Sequence, residues 1–335
     1  YLWADNQHLT AAGQKIMGDY FYSLVVAPSQ ISMLAENAIK TRTALVGTVQ
    51  EQIDASQKRR GPSGVNAWVT GDVWSLSVDN YRHFPDDPGV PVALTAGADV
   101  TVLPGLIVGG VLSTGRNDQS WGQNRGGFIQ DEVSGSLYAS WRASIMQFDA
   151  IGTYGALRDR VERDVPLGIS VQNNTARTEG RDTSLALRAR LELQAGPITH
   201  GPVAGIVLQR ADVGGFSESG NVTSLFFLSQ RRESAVSALG YRVALDMGRW
   251  QPYAQVVWNH ELANTDRDIT AGLTTIAAPT WHMPAVTTGK DWATATVGTT
   301  VGLTSSVTGV VSGWGQFGQS DTQAYGGRIG INVAF

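Results

Sequence analysis

Tyr325-Gly326-Gly327-Arg328-Ile329-Gly330-Ile331-Asn332-Val333-Ala334-Phe335 decides how the rest of the chain is read. Tyr325, Ile329, Ile331, Val333 and Phe335 fall on one face. Gly326, Arg328, Gly330, Asn332 and Ala334 fall on the other. Alternation at period two over about ten residues makes a β-strand with one apolar and one polar face. Taken alone, the stretch suits the edge of a soluble sandwich as well as the wall of a closed barrel.

Most of the chain upstream repeats the pattern. Strand-like segments lie at roughly 65–77, 91–102, 106–116, 131–145, 147–158, 182–195, 199–211, 229–246, 250–262, 291–303, 306–318 and 323–335, twelve in all. In Val133-Gly135-Leu137-Ala139-Trp141-Ala143-Ile145 the intervening residues are mostly polar, with Glu132, Ser134, Ser136, Ser140, Arg142 and Ser144 among them. Leu185, Leu187, Ala189, Leu191 and Leu193 alternate with Ser184, Arg188, Arg190, Glu192 and Gln194. The connections alternate too. Short ones lie near Leu103-Pro104-Gly105, Ser144-Ile145-Met146, Gly196-Pro197-Ile198, Asp246–Arg249 and Thr304-Ser305. Long polar ones lie near 78–90, 117–130, 159–181, 212–228 and 263–290, and the last hairpin, around Gln319–Thr322, is short.

Tight turns on one rim, long loops on the other and an even strand count predict an all-β transmembrane barrel of 12 antiparallel strands. A soluble sandwich gives no reason for this asymmetry. Trp68, Trp74, Tyr81, Trp121, Tyr154, Trp250, Tyr253, Trp258, Trp292, Trp314 and Tyr325 sit near strand ends, where interface girdles are expected. The interleaved face carries both signs of charge: Asp72, Asp99, Glu132, Arg142, Asp149, Arg188, Arg190, Glu192, Arg242 and Arg328. In a barrel that face lines the lumen. Two alternatives of other classes are a diffusive outer-membrane porin, which needs an open lumen, and a soluble secreted all-β binding protein, which stays in solution without detergent.

Composition agrees. Charged residues make up 16% of the chain, below the roughly 25% of soluble domains. The net charge of −4 points to no nucleic-acid partner. Absence of Cys excludes a disulfide framework and thiolate metal sites. The five His have no metal-ligand spacing, so neither metal nor cofactor is expected. No run is long and apolar enough for a transmembrane helix, which a barrel does not need.

Ahead of the strands the period is helical. Thr10 is an N-cap candidate for a first helix carrying Ile16, Tyr20 and Leu24, expected to stop before Pro28. Ser29 is the cap candidate for a second, residues 29–58, with a thin apolar stripe of Ile31, Leu34, Ala38, Leu45, Val49 and Ile53. Thirty residues span about 45 Å, enough to thread a bilayer-thick pore. The basic breaker Lys58-Arg59-Arg60-Gly61-Pro62 is expected to end it. With that helix in the lumen, strand one starts on the periplasmic side. All long loops then fall outside. The expected division is 1–27, the end of a preceding domain; 28–60, linker and pore helix; and 61–335, the barrel. Tyr1-Leu2-Trp3-Ala4-Asp5 reads as the middle of a folded domain, so a longer parent is expected.

Asp5 and His8, three apart before a helix, can serve one Ser-His-Asp site, the Asp orienting the imidazole and the His taking the Ser proton. The run Trp3-Ala4-Asp5-x-x-His8-Leu9-Thr10-x-x-Gly13 resembles the last conserved block of GDSL (SGNH) esterases. Joined to a helix and a carboxyl-terminal barrel, it resembles the autotransported GDSL esterases of Gram-negative outer membranes, which use type V secretion. The resemblance implies the Asp and His roles for Asp5 and His8. There is no Gly-Asp-Ser-Leu block, so the Ser nucleophile is missing and this chain alone is expected to be inert, its parent hydrolysing acyl esters without metal. The resemblance also implies an autotransporter translocator that secretes, anchors and displays the esterase at the cell surface. Phe335, Val333, Ile331 and Tyr325 would form the signal read by the barrel assembly machinery. Outer-membrane lipid, lipopolysaccharide and the passenger are the other implied partners, the barrel being a monomer. Some autotransporters cut themselves at an Asn in the pore helix; Asn37-Ala38 is the candidate, but the esterase group generally stays uncut.

Overall fold

The computed structural model describes residues 2–5, 7–56, 64–78 and 87–335. One helix, α1 (Ala11–Ser56), precedes the strands. The barrel strands are β1 (Val65–Val78), β2 (Val92–Leu103), β3 (Leu106–Ser120), β4 (Gly126–Ala143), β5 (Met146–Leu167), β6 (Ser170–Leu191), β7 (Ile198–Val213), β8 (Gln230–Leu245), β9 (Trp250–Glu261), β10 (Asp291–Gly302), β11 (Val307–Phe317) and β12 (Thr322–Ala334). Each pairs antiparallel with the next. β12 returns to β1 through Asn66↔Ala334, Asp72↔Arg328 and Val78↔Thr322. The sheet therefore closes, and these ladders leave no strand edge unpaired, which is what a hydrocarbon surround requires. All twelve sequence-read segments are wall strands.

Alternation assigns the faces as expected. Leu112 and Leu137 are each 73% exposed, and Val133, Ile329 and Tyr325 also point outward. Arg328, Asn332, Glu132 and Ser134 point inward and are buried. A wall this apolar on its outer face fits lipid and argues against the soluble alternative. On the short-turn rim Gly105 turns with φ +80°, a backbone that L side chains rarely adopt.

The structure differs from the sequence reading in four places. First, the helix does not stop before Pro28: α1 runs unbroken for 46 residues, about 69 Å at 1.5 Å each. Pro28 removes one hydrogen bond, a cost of about 3 kcal/mol in a helix interior. Complete burial of Ala27, Leu34 and Ala35 around it offsets that cost. Ser29 is thus not a cap; it is buried mid-helix, its carbonyl accepting from Ser32 Oγ at 2.6 Å. Thr10 does cap, accepting from the Gly13 N–H at 3.1 Å. The expected stop at Lys58–Pro62 lies outside the described residues.

Second, 159–181 is no loop. β5 and β6, 22 residues each, pair without interruption to Leu167↔Ser170. The hairpin stands well above any bilayer. Its upper half is polar on the outer face, and the inner face mixes Asp159 and Arg163 with Val161 and Val165, so the apolar-outward alternation of the wall stops there. Likewise β3 and β4 pair through most of 117–130. Third, 212–228 and 263–290 contribute a second sheet, with strands Phe216–Ser217, Leu225–Phe227, Asp268–Leu273 and Trp281–Pro284. Fourth, much of the expected girdle turns inward. Trp68, Trp74 and Trp121 are buried. Trp292 lies 5.5 Å from Lys40, Trp314 5.7 Å from Arg328, and Tyr253 4.1 Å from Arg242. Tyr154, Trp250, Trp258 and Tyr325 do face outward. Tyr81 lies outside the described residues.

Candidate functional site

The lumen is occupied by α1, and charge decides how it sits there. At 100° per residue Glu36, Lys40, Glu51 and Asp54 fall within about 60° of one another, with Arg42 nearly opposite. Each group except Lys40 meets buried ionic partners of opposite sign on the wall. Arg42 Nη2 lies 2.7 Å from Glu132 on β4 and 2.6 Å from Asp182 on β6. Glu36 accepts from Arg232 on β8 at 2.9 Å, and Arg232 also reaches Glu261 at 3.2 Å. Glu51 lies 2.6 Å from Arg328 on β12, whose Nε lies 2.5 Å from Asp72 on β1. Asp54 gathers Arg188 at 2.7 Å, Arg190 at 2.8 Å and Arg242 at 3.7 Å. Lys40 instead donates to Gln319 Oε1 at 3.1 Å.

These clusters fix both depth and rotation. A one-residue slip would move the helix 1.5 Å and turn it 100°, leaving buried charges without partners. Gly155 belongs to the same design: a Cβ there would stand 2.3 Å from Asp182 Oδ1 and 2.4 Å from Arg42 Nη2. The lumen is less polar than the sequence suggests. Leu45, Val46, Val49 and Ile53 pack on Trp68, Ile107, Val111, Tyr138 and Ile151. Higher up, Ile31, Met33, Leu34 and Ala35 join Trp121, Phe128, Phe227, Ile269 and Val286 under the outer sheet. On the β7–β12 side a cavity of about 200 Å³ remains, lined by Lys40, Gln50, Arg242, Asn259, Thr296 and Gln316 among others. Below the helix clusters, Asp99 accepts from Tyr138 at 2.7 Å and Arg142 meets Glu192 at 2.9 Å.

All the wall charges read from the sequence are therefore partnered, but the helix charges they serve were missed, together with Arg232, Asp182 and Glu261. The available signal was an opposite-signed set on a helix and on inward strand positions. Which pairs form needs the three-dimensional register.

At the other end of α1, residues 2–5 lie back against 7–10, with Ala4 N donating to His8 O at 2.8 Å and Thr10 N to Leu2 O at 3.0 Å. This brings Asp5 and His8 together: His8 Nδ1 and Asp5 Oδ2 are 2.7 Å apart. Asp5 Oδ1 accepts the Gln7 and His8 N–H groups, both at 2.7 Å. The Gln7 amide, then the His8 ring and amide, hold the Asp5 carboxyl below the usual carboxylate range. Chemically, a carboxylate on Nδ1 leaves Nε2 to take a proton. Both side chains are exposed. Among the described residues no group of His, Asp and Glu is placed to hold a metal.

A closed twelve-stranded barrel threaded by one charge-locked helix defines an outer-membrane translocator. The autotransporter beta-domain family model matches residues 92–313, so the chain belongs to that family. The fold is also similar to the translocator domain of autotransporter NalP from Neisseria meningitidis, with a TM-score of 0.72 and 13% identity, covering 90% of this chain and 99% of that one. Lipase 1 of Photorhabdus luminescens is 23% identical over 356 residues, covering 100% of this chain and 50% of the relative. Esterase EstA of Pseudomonas aeruginosa is 24% identical over 284 residues, covering 82% and 44%. The chain thus spans about half the length of the curated relatives it matches. The fold and family place it in the Gram-negative outer membrane.

Proposed function

We propose that this translocator secretes, anchors and displays an N-terminal GDSL-type esterase at the cell surface, with residues 1–27 forming the end of that esterase. In this reading 28–60 is the pore segment and 61–335 the barrel. Asp5 orients the imidazole of His8, which takes the proton of a Ser supplied by the preceding part of the parent; the chemistry is acyl ester hydrolysis. The observation that carries the reading is the unbroken α1: one rigid rod joins the Asp5–His8 fold-back to the lumen. The names of Lipase 1 and Esterase EstA support the same passenger class.

The occupied lumen argues against a diffusive porin. Asn37 is tied at both ends of its amide, donating to Gln130 at 2.7 Å and accepting from Asn117 at 2.6 Å. Attack of that amide on its own carbonyl would need both bonds broken, so the chain stays joined at Asn37-Ala38. Tyr325, Ile331, Val333 and Phe335 present the terminal strand to the barrel assembly machinery, and lipopolysaccharide is the surrounding outer lipid.

The test is to express the parent open reading frame and assay intact cells on short-chain acyl esters. Activity that is removed by external protease and by His8→Ala, with the barrel still heat-modifiable on gels, is the expected result. Activity unchanged in His8→Ala would overturn the catalytic assignment, and protease-resistant activity the display.

A further inference from the structure

The outward face of the wall changes character at one level. On β5 the outward positions from Met146 to Ala156 are apolar or small over ten residues, and Arg158 follows. On β6, counting up from Leu193, they run to Thr183, and Arg181 follows. On β7 they run from Pro202 to Leu208, above Ile198 and His200, and Arg210 follows. On β8 they run from Leu245 to Ala235, then Glu233 and Arg231. Ten residues at about 3.3 Å, tilted by about 40°, rise roughly 25 Å, the height of a barrel's lipid-facing band. Four neighbouring strands therefore place an arginine at or just above the upper edge of the hydrocarbon, where lipid phosphates lie.

Three of these arginines converge. Arg231 Nε lies 2.7 Å, Arg210 Nε 2.9 Å and Arg181 Nε 3.5 Å from the carboxylate of Asp212. In register Asp212 stands opposite Arg181 and Arg231, and Glu233 opposite Arg210. Three guanidiniums face two carboxylates, so one positive charge and many N–H donors are in excess. Arg181 and Arg231 are well exposed. Directly below, Leu185, Leu187 and Leu208 offer an exposed apolar wall.

We propose that Arg181, Arg210 and Arg231 form a seat for the phosphate of the outer-leaflet glycolipid, lipopolysaccharide, with its acyl chains lying along Leu185, Leu187 and Leu208. Guanidinium forks match phosphate oxygens, and the apolar wall below matches the tails. The surplus charge sits where an anionic lipid carries its own. This site rests on the lipopolysaccharide environment of the proposed function and is independent of the esterase passenger.

The test uses the whole chain, purified in detergent and incubated with lipopolysaccharide, with bound lipid read by native mass spectrometry. The triple variant R181Q/R210Q/R231Q is compared with the wild type and with R249Q, which alters an exposed arginine at the short-turn rim. All should show the same boiling-dependent gel shift, so folding is controlled. The wild type and R249Q should retain lipid alike, while the triple variant retains about tenfold less. Equal retention by the triple variant would overturn the proposal. So would equal wild-type retention of dephosphorylated lipid, which would leave only apolar contact. Equal retention of phosphatidylglycerol would reduce the seat to a general anionic-lipid surface, and release by millimolar inorganic phosphate would make it a free-anion site. Either result also rejects the assignment. Surface esterase activity of the parent is a separate readout.

Discussion

Replacing Arg42 by Met is the sharpest probe of how the helix is held. Arg42 is 1% exposed and bridges Glu132 and Asp182, with Nε also donating to Asp182 at 2.8 Å. Met fills a similar volume but leaves two buried carboxylates facing each other. Removing one partner of a buried ion pair costs about 3–5 kcal/mol. At the lower end of that range the cost is about 3 kcal/mol. With an unfolding entropy of about 2.1 cal/mol/K per residue, that lowers the midpoint by about 4 °C. The assay is the temperature at which the folded band is lost on unboiled gels. The cause is separable from lost packing. Arg42→Met combined with Glu132→Gln and Asp182→Asn removes the stranded charge and should recover the wild-type midpoint to within about 1.5 °C, or about 1 kcal/mol. A triple variant as unstable as the single one, or a single variant with the wild-type midpoint, would refute the electrostatic lock.

Gly155→Ala should cost about 1–3 kcal/mol by crowding the Arg42–Asp182 contact, read by the same midpoint. Asp19, held low by Lys15 and by the Gly168 N–H at the tip of the β5–β6 hairpin, should hold that tip above about pH 4 and release it as acid lowers the pH through its depressed folded pKa. Hydrogen exchange at Gly168, corrected for intrinsic rate, should show protection lost on that acid side only. Deleting Phe335, whose N–H donates to Val65 O at 2.9 Å, should lower the folded fraction in cells several-fold while leaving detergent refolding near normal; equal folding in cells would remove it from the assembly signal.

The expected strand segments and their faces were readable because alternation is local: Val133, Leu137 and Trp141 declare a lipid face without knowing their neighbours across the ladder. The tight turns and the Thr10 cap are local in the same way. So is the pairing of Asp5 with His8, three residues apart. By itself, then, the chain's order of residues determined a twelve-stranded wall, its inner and outer faces, and a helix ahead of it. Tertiary structure decided the rest. Pro28 signals a stop and gets none, because enclosure under the outer sheet outweighs one lost hydrogen bond. The upper β5–β6 hairpin is polar outside and mixed inside, with Val161 and Val165 between Asp159 and Arg163, so the pairing of its two arms is what shows it to be strand. Trp68 looks like a girdle residue until the lumen proves to need apolar filling beside Val49 and Ile53, and Trp74 likewise until it joins the upper apolar cluster. The lock of Glu36, Arg42, Glu51 and Asp54 joins residues between 90 and 277 positions apart. Pairings at that separation come from the closure of the barrel around the helix, and no local pattern encodes them.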